Sequence, residues 1–521
     1  MATVAPAART VEDLSADAPD YAPPSLTLTT LALGMATFMR VLDTTIANVS
    51  LPYIAGNLAV SYDDSTWVIT SFTVCMAITL PLTGFLARRF GQVRLFVWCT
   101  ILFSLASLMC GFSTSFGELL LFRAVQGAMT GPIYPIAQSL MIATYPKSKR
   151  TMALAIISMI TIVAPIVGPV LGGWITYNYS WHWIFFINVP IGIFASIVGL
   201  TQLSGMREAL KRTRLDFVGL GTLVVGVGAL QILLDKGQDL DWFGSNLIII
   251  LAIVAAIALF VFVVYELTDD DPIVDLRLFR HRNFAVGTVV IILSYAVFFS
   301  MSLLLPLWTQ KVLGYTALWA GLAMAPVGIF PVLTTYVIGK YGPRVDLRAL
   351  ASVAFIVVGA TCFLNGSFDT QVIFGTVAMV RLLQGVGIAF FFMPILTILL
   401  SDLKGGEIAS GSGTSTFLYQ LGASFAASIV TFYWDRGATE QHSYLVKYIS
   451  PFNPIASAQS VGRELGLHTR QAADLINRVI TQQGFQISFN QLMDTLGILI
   501  MLLIPLLWLA KPPFVRASAR H

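Results

Sequence analysis

Apolar stretches of about 20 residues, separated by short polar connections, recur along this sequence from residue 28 to residue 510. A helix of roughly 20 residues is the length that a bilayer core of about 30 Å requires. Charged residues make up 11% of the chain and hydrophobic residues 56%, whereas soluble proteins are about one quarter charged. The pattern therefore predicts an all-α integral membrane protein whose charges lie mostly in the connections.

Polar connections divide the apolar sequence into fourteen predicted spans. Most connections are short, and the one long connection, 435–486, precedes the last span. In chain order the predicted spans lie near 28–50, 67–87, 95–114, 118–142, 151–176, 183–203, 217–234, 246–266, 284–308, 319–339, 349–366, 372–400, 410–434 and 487–510.

Lysine and arginine are distributed unevenly between the two sets of connections. The short connections after odd-numbered spans carry only Lys236 and Lys311. Basic residues are retained on the cytoplasmic side during insertion, so both termini are predicted to be cytoplasmic. The connections after even-numbered spans carry Arg88, Arg89, Arg94, Lys147, Lys149, Arg150, Arg207, Lys211, Arg212, Arg214, Arg277, Arg280, Arg282, Arg344, Arg348 and Lys404.

Two sequence patterns occur twice. Residues 123–127 read Arg-Ala-Val-Gln-Gly in span 4, and residues 381–385 read Arg-Leu-Leu-Gln-Gly in span 12. The connection 84–94 after span 2 is echoed by 339–344 after span 10. Both echoes occupy matching places if two six-helix halves flank an inserted pair, spans 7 and 8. A transporter that is built from two such halves holds its substrate near the bilayer midplane, and the halves rock about it.

These observations predict five regions. They are a disordered cytoplasmic tail at 1–27, an amino-terminal six-helix half at 28–203, two inserted helices with flanking loops at 204–282, a carboxy-terminal six-helix half at 283–510, and a cytoplasmic tail at 511–521. The tail at 1–27 lacks the basic start and short apolar core of a cleaved signal.

The long connection 435–486 faces the exterior in this topology. Residues 457–483 have helical periodicity and few helix breakers, which predicts a small external helix. The connection is either a solvated loop or a docking surface for a partner.

The sequence argues against several function classes. Basic residues are scattered in short clusters, which argues against nucleic acid as a partner. The five histidines lie apart, so we expect neither a catalytic constellation nor an enzyme. We also expect no metal and no cofactor. Four cysteines lie in or at the ends of apolar runs, where a thiol behaves as a small hydrophobe: Cys75, Cys99, Cys110 and Cys362.

Charged side chains within spans are the strongest functional candidates, because burying a charge in a bilayer is costly. Asp43 in span 1 is the first such residue, and Arg123 in span 4 is the second. Asp43 could alternatively form an ion pair that only holds helices together. Arg40, one helical turn before Asp43, could add positive potential near Asp43, extend to the membrane surface, or bind an anionic substrate.

Four motifs together point to a known family. They are Val-Leu-Asp-Thr-Thr-Ile-Ala-Asn-Val-Ser-Leu-Pro at 41–52, Arg-Ala-Val-Gln-Gly at 123–127, Ala-Pro-Ile-Val-Gly-Pro-Val-Leu-Gly-Gly at 164–173 and Trp-His-Trp-Ile-Phe-Phe-Ile-Asn-Val-Pro at 181–190. Over nearly its whole length the chain resembles the fourteen-span drug:proton antiporters of the major facilitator superfamily. The resemblance implies the major facilitator fold and places Asp43 close to Arg123 on the cavity side of the amino-terminal half.

Two segments, 164–173 in span 5 and 84–94 after span 2, are predicted to control opening and closing. Small residues permit close helix approach and proline loosens the helix, and the resemblance implies that 164–173 governs closure of the halves. The alternatives are simple packing for this segment and a solvated turn for 84–94. Arg88 stands where the family usually has an aspartate, and Ala164 stands where glycine is common. The predicted gating residues are Gly84, Arg88, Gly91, Arg94, Gly168, Pro169, Gly172 and Gly173.

An apolar, aromatic cavity with a few polar anchors suits varied ligands, because burial of apolar surface is not directional. Span positions select seven candidate cavity residues: Tyr134, Gln138, Tyr295, Phe391, Phe392, Tyr419 and Gln420. Arg381 repeats Arg123, but no acid in span 9 matches Asp43, so we expect Arg381 to be structural.

The function that the resemblance implies is multidrug efflux: export of hydrophobic or amphipathic drugs and toxicants in exchange for protons. Burial favours the neutral form of Asp43 and a nearby arginine favours the carboxylate, so Asp43, Arg123 and Arg40 are the predicted proton-coupling residues. The resemblance also implies a bacterial inner-membrane location, with an EmrA-like periplasmic adaptor and a TolC-like outer-membrane channel as partners. The alternatives are an exporter of a specific metabolite or fatty acid and, more remotely, a non-transporting sensor or a membrane enzyme.

Overall fold

A computed structural model describes residues 20–206, 217–269, 272, 274, 276–334, 345–403, 405–449, 457–466 and 468–514. These residues form helices, and the described part of the chain contains no strand. The predicted all-α class is confirmed. The echo at 339–344 lies outside the described residues.

The helices follow one another with short connections. In chain order they are α1 (Leu26–Asn57), α2 (Tyr62–Ser65), α3 (Trp67–Phe90), α4 (Gln92–Phe112), α5 (Phe116–Thr144), α6 (Arg150–Asn178), α7 (Trp183–Phe186), α8 (Asn188–Leu203), α9 (Phe217–Lys236), α10 (Asn246–Thr268), α11 (Arg282–Lys311), α12 (Ala317–Met324), α13 (Leu347–Gly366), α14 (Phe374–Ala389), α15 (Phe392–Leu400), α16 (Gly405–Val446), α17 (Ala458–Leu465), α18 (Thr469–Met501) and α19 (Leu503–Leu507). Short 3₁₀ segments are Lys147–Lys149, Trp242–Gly244, Leu276–Arg280 and Ala325–Gly328.

Each of the fourteen predicted spans coincides with a helical segment wherever the structure describes it. Eleven described helices are long and apolar enough to cross a membrane. The other three spans correspond to α5, to the shorter apolar helix Leu318–Thr334 and to α16. Two of these helices are more polar because they bury polar side chains inside the bundle, such as Gln126 on α5 and Ser412 on α16.

Local sequence explains where several helices begin. The Ser115 hydroxyl accepts a hydrogen bond from Glu118 N at 3.3 Å, and the Glu118 carboxylate accepts one from Ser115 N at 3.3 Å. This reciprocal pair satisfies backbone donors at the start of α5. Between α3 and α4, Gly91 has a φ of 88°, a conformation that glycine adopts without a steric penalty.

The predicted tail at 1–27 is only partly described. Asp20 forms an ion pair with Arg150 at 2.8 Å. Tyr21 donates its backbone N–H to the Ala143 carbonyl at 3.1 Å and its hydroxyl to the Gln202 carbonyl at 3.1 Å. Residues 20–25 therefore contact the ends of α5, α6 and α8, and α1 begins at Leu26.

Corresponding glycines in the two repeated motifs make corresponding contacts. A Cβ on Gly127 of α5 would lie 2.2 Å from the Phe72 carbonyl oxygen of α3. A Cβ on Gly385 of α14 would lie 2.6 Å from the Val327 carbonyl oxygen, in the helical segment after α12. The sequence echo between spans 4 and 12 thus corresponds to equivalent close helix packing, while the proposed domain boundaries stay a prediction.

The helices of spans 7 and 8, α9 and α10, pack against each other, and α9 also contacts helices from both predicted halves. Asp235 of α9 accepts a hydrogen bond from Thr73 of α3 at 3.0 Å. On the other side, Ser428 of α16 donates to the Leu234 carbonyl of α9 at 2.7 Å.

The connection 435–486 differs from its prediction. Span 13 continues as a helix of 42 residues, α16, whose length is about 63 Å, roughly twice a bilayer core. The predicted external helix at 457–483 is divided between α17 and the first part of α18, which is continuous with span 14. We call residues 435–449, α17 and residues 469–486 the long hairpin.

Hydrogen bonds from side chains to the backbone join α16 and α18 at the base of this hairpin. Trp434, just before the hairpin, donates its indole N–H to the Phe485 carbonyl at 3.0 Å, and the hydroxyl of Ser488, just after the hairpin, donates to the Trp434 carbonyl at 2.9 Å. A Cβ on Gly484 would lie 2.7 Å from the Ala438 carbonyl oxygen. Hydropathy identified only the membrane-crossing parts of α16 and α18, because their extensions are polar.

Candidate functional site

The carboxylate of Asp43 lies midway along α1 and has no exposed surface. Its Oδ2 accepts a hydrogen bond from Arg123 Nη1 at 2.6 Å. Its Oδ1 accepts from Gln126 Nε2 at 3.1 Å and from Asn188 Nδ2 at 2.9 Å. One cationic and two neutral donors therefore surround the carboxylate, an environment that stabilises its ionised form inside the protein.

Arg123 joins its own helix, α5, to α1 and α3. Besides its ion pair with Asp43 of α1, Nε donates to the Val68 carbonyl of α3 at 3.1 Å, and Nη1 donates to Gln126 Oε1 at 2.8 Å. The guanidinium carbon lies 4.2 Å from the centre of the Phe72 ring. The family resemblance placed Asp43 and Arg123 near each other, and the structure places them in direct contact.

Sequence reasoning did not single out two of the carboxylate's partners. Gln126 and Asn188 both stand in the motifs that carry the family resemblance, at 123–127 and 181–190. Asn188 also donates to the Ser107 hydroxyl of α4 at 3.1 Å. The motifs were the available signal, but a neutral amide in a span gives no indication of which helix it faces.

The glycines of 164–173 pack α6 against α1 directly after Asp43. A Cβ on Gly168 would lie 2.1 Å from Thr45 Oγ1, and one on Gly172 would lie 2.8 Å from the Ile46 carbonyl oxygen. Gly173 is different, because a Cβ there would make only an ordinary contact of 3.6 Å. Pro169 lies inside α6 between these glycines.

The other predicted gating segment lies at the α3–α4 junction. A Cβ on Gly84 would lie 2.8 Å from the Cα of Ser410, so this glycine allows α3 to touch α16 of the other predicted half. Arg88 donates to the Pro272 carbonyl at 3.2 Å. Gly91 forms the turn described above, and Arg94 is exposed on the first turn of α4.

Arg40 does not extend out of the bundle. Its side chain is 2% exposed, and Nη2 donates to Met76 Sδ at 3.6 Å. The guanidinium carbon lies 5.5 Å from the centre of the Tyr134 ring. No hydrogen bond joins Arg40 to Asp43 among the described residues, and its part in proton coupling stays a prediction.

Most of the predicted cavity residues are buried, and several are in contact. The rings of Tyr295 and Tyr419 lie 4.7 Å apart, and Tyr295 lies 5.7 Å from Phe392, which lies 4.8 Å from Phe391. Thus α11, α15 and α16 contribute to one aromatic cluster, which we call the aromatic wall: Tyr295, Phe298, Phe391, Phe392 and Tyr419.

The remaining three predicted cavity residues are outside that wall: Tyr134 packs against the Arg40 guanidinium, and Gln138 and Gln420 lie elsewhere. Gln138, one turn after Tyr134 on α5, accepts a hydrogen bond from the Ser412 hydroxyl of α16. Gln420 is half-buried next to Tyr419, and adjacent residues of a helix do not share a face. No contact of the Gln420 side chain brings it to the wall within the described ranges.

Arg381 reproduces part of the Arg123 arrangement in the other half. It is buried and donates to Gln384 Oε1, as Arg123 donates to Gln126. No carboxylate forms an ion pair with Arg381 in the described part of the chain. The two motifs therefore share their packing and their arginine, but only Arg123 has a carboxylate partner there.

No group of three or more metal-ligating side chains occurs among the residues that the structure describes. The four cysteines are free thiols.

Comparison with known proteins assigns this architecture. A family model described as Major Facilitator Superfamily matches residues 33–427. The chain belongs to the major facilitator superfamily. It is 48% identical to the "Multidrug export protein EmrB" of Escherichia coli strain K12, over 94% of this chain and 96% of that protein. It is 45% identical to the "Fatty acid resistance protein FarB" of Neisseria gonorrhoeae, over 96% of this chain and 100% of that protein.

A solved structure supports the fold. The human organic anion transporter MFSD10 superposes with a TM-score of 0.55 at 14% identity, covering 92% of this chain and 98% of its own. The predicted major facilitator fold is therefore confirmed, and the chain is an EmrB-like member of the superfamily. This member of the superfamily is a multi-pass membrane transporter, not an enzyme.

Proposed function

We propose that this protein exports hydrophobic or amphipathic drugs and toxicants across the bacterial inner membrane in exchange for protons. The similarity to EmrB supports multidrug export. The observation that carries the proton coupling is the fully buried Asp43, held by Arg123, Gln126 and Asn188.

In this mechanism the surroundings of Asp43 differ between inward-facing and outward-facing states. Contact with Arg123 keeps the carboxylate ionised, and separation from Arg123 in a buried site makes protonation favourable. A single charge that crosses a potential of about 150 mV supplies roughly 3.5 kcal/mol. Alternation between these surroundings would convert that energy into uphill export.

The glycine face of α6 is suited to transmit the movement. Gly168 and Gly172 touch Thr45 and Ile46, within one turn of Asp43 on α1. A shift of α6 against α1 would therefore move Asp43 relative to Arg123 on α5. On this proposal, residues 164–173 and Gly84 control closing of the two halves.

The test is transport in sealed vesicles with Asp43→Asn. We expect efflux driven by an imposed pH gradient to be abolished, because the amide cannot exchange a proton. Asp239→Asn is the control, since Asp239 is partly exposed and pairs only with Lys236 at 3.1 Å. Uphill transport by properly inserted Asp43→Asn protein, still driven by acid, would overturn the coupling mechanism.

A tripartite assembly is the second part of the proposal. The implied EmrA-like adaptor and TolC-like channel would carry substrate across the outer membrane, with both termini of this chain in the cytoplasm. The long hairpin lies on the outer side in that topology. Its exposed apolar residues are suited to bind an adaptor: Tyr444, Val446, Tyr448, Leu465, Leu475 and Val479.

An exporter of a specific metabolite or fatty acid is the competing function. The similarity to FarB along its whole length favours a fatty acid among these. Vesicle transport of a fluorescent cation and of a hydrophobic acid separates the two functions, because a multidrug exporter moves both.

A further inference from the structure

Arg40 is a buried cation that has no counter-ion in the part of the chain that the structure describes. Its Nε has no hydrogen-bond acceptor, and its one acceptor among the described residues is the weak sulfur of Met76, 3.6 Å from Nη2. Asp43 does not fill this role: its carboxylate accepts from Arg123, Gln126 and Asn188, and no hydrogen bond joins it to Arg40 among the described residues. A guanidinium held in this way inside a membrane bundle is costly, and such residues are usually functional.

Three tyrosines from different helices lie near the guanidinium. Its carbon lies 5.5 Å from the centre of the Tyr134 ring of α5, and its charge also reaches Tyr295 of α11 and Tyr419 of α16, whose rings lie 4.7 Å apart. Arg40 and Tyr134 belong to the predicted amino-terminal half, whereas Tyr295 and Tyr419 belong to the carboxy-terminal half. The group therefore lies where the two halves meet, which is where transporters of this architecture hold their substrates.

The polar groups here match the requirements of a carboxylate. A guanidinium presents several N–H donors in one plane, and tyrosine hydroxyls donate as well. Gln138, one turn after Tyr134, adds an Nε2 without an acceptor. Its Oε1 accepts from Ser412, which lies two turns from Tyr419 on α16. Two buried donors, Arg40 Nε and Gln138 Nε2, thus lack an acceptor among the described residues, and an anion would supply acceptors.

An apolar surface begins beside these donors. The Tyr295 ring lies 5.9 Å from Phe298 and 5.7 Å from Phe392, and Phe298 lies 6.2 Å from Phe391. Tyr295 and Tyr419 thus belong both to the tyrosine group and to the aromatic wall. A polar end next to an apolar wall is the layout that an amphipathic acid would occupy.

We propose that Arg40, together with Tyr134, Tyr295 and Tyr419, binds the carboxylate headgroup of amphipathic organic acids, whose apolar part lies along the aromatic wall. This proposal rests on the proposed function, because the ligand is a transported substrate. Its binding step does not depend on proton coupling and can be measured without it.

The test measures equilibrium binding of two probes of equal chain length, laurate and dodecyltrimethylammonium, to purified full-length protein in nanodiscs. For Arg40→Gln we expect laurate binding to weaken about tenfold or more, because the charged donor is lost. Binding of dodecyltrimethylammonium should be unchanged or tighter. Arg381→Gln removes a second buried arginine that lacks the tyrosine group, so both affinities should stay as in the wild type.

A second pair of variants covers the case in which Arg40→Gln does not fold. Tyr134→Phe and Tyr419→Phe keep the rings and remove only a hydroxyl, so each should weaken laurate binding severalfold and leave the cation unaffected. The proposal is overturned if the folded Arg40→Gln protein binds laurate as the wild type does, or if the variants weaken both probes equally. Loss of laurate binding together with transport that ignores a pH gradient would refute antiport but retain this site.

Discussion

The three donors around Asp43 have different consequences. Arg123 contributes charge, whereas Gln126 and Asn188 contribute neutral hydrogen bonds that fix the direction of the carboxylate. Asn188 is itself held by the Ser107 hydroxyl of α4. The amide of α8 therefore helps to hold the carboxylate in place, although it carries no charge.

Asn188→Ala tests this effect. A hydrogen bond to a charged group contributes about 1.5–3 kcal/mol, so its loss destabilises the carboxylate relative to the neutral acid. We expect the pH of half-maximal efflux to rise by about one to two units, measured as a pH profile in vesicles. Asn178→Ala is the control, because Asn178 is exposed and donates only to the Trp174 carbonyl. A uniform loss of rate at every pH would indicate a purely structural role for Asn188.

The sequence identified the charged residues of this site but not its neutral ones. Asp43 and Arg123 are conspicuous because a charge inside a span is rare and costly. Amides and hydroxyls are tolerated at many span positions, and whether they point to a carboxylate or to a backbone carbonyl depends on how helices rotate and pack. Arg40 was recognised as unusual and the three tyrosines were predicted cavity residues, but the packing of α5, α11 and α16 was needed to show that they lie together.

At the scale of helices, adjacent glycines on α6 have unequal importance. A Cβ on Gly172 would approach the Ile46 backbone oxygen to 2.8 Å, whereas a Cβ on Gly173 would stay 3.6 Å from Val49 Cγ1. A backbone atom cannot move aside as a side-chain end can. The contact between α6 and α1 therefore depends on Gly172 much more than on Gly173.

Gly172→Ala and Gly173→Ala form a matched pair. We expect Gly172→Ala to push α6 away from α1, at a cost of about 1–3 kcal/mol, and to lower both the rate of pH-driven efflux and the melting temperature. Gly173→Ala should leave both quantities close to the wild-type values. Transport assays in vesicles and thermal unfolding in detergent measure these effects. Equal behaviour of the two variants would show that the close contact is unimportant.

Hydropathy predicted the apolar parts of the helices well, but it did not predict their polar ends and extensions. α1 and α11 exceed their predicted spans by several residues at their ends, since a helix does not stop where apolar sequence stops. The same limitation hid the long hairpin. The polar residues after Trp434 suggested a loop, yet α16 continues to Val446 because α18 packs against it.

Across the whole molecule, the two predicted halves meet closely at one end of α3 and α16. A Cβ on Gly413 would lie 3.2 Å from both the Leu80 carbonyl oxygen and Thr83 Cβ, next to the approach of Gly84 to Ser410. This end carries the basic connection after span 2, which the charge rule assigns to the cytoplasm. Alternating access would require these contacts to separate.

The long hairpin extends from the opposite end of α16, and neither Asp43 nor the aromatic wall belongs to it. Exposed apolar side chains on a segment beyond the bilayer are typical of a surface that binds another protein. Leu475 and Val479 lie one turn apart on α18, are 38% and 46% exposed, and so share a face. A role in adaptor binding predicts that these residues matter in cells with two membranes but not in isolated vesicles.

Replacing Leu475 and Val479 together with aspartate tests that distinction. We expect the double variant to lose co-purification with a co-expressed EmrA-like adaptor and to lose drug resistance in a pump-deficient Gram-negative host, because two charges oppose apolar docking. Efflux in proteoliposomes should remain at the wild-type rate, since Asp43 and the aromatic wall are untouched. Phe243→Asp is the control, as Phe243 is 67% exposed in the connection between α9 and α10. Unaltered adaptor binding by the double variant would assign the adaptor to another surface.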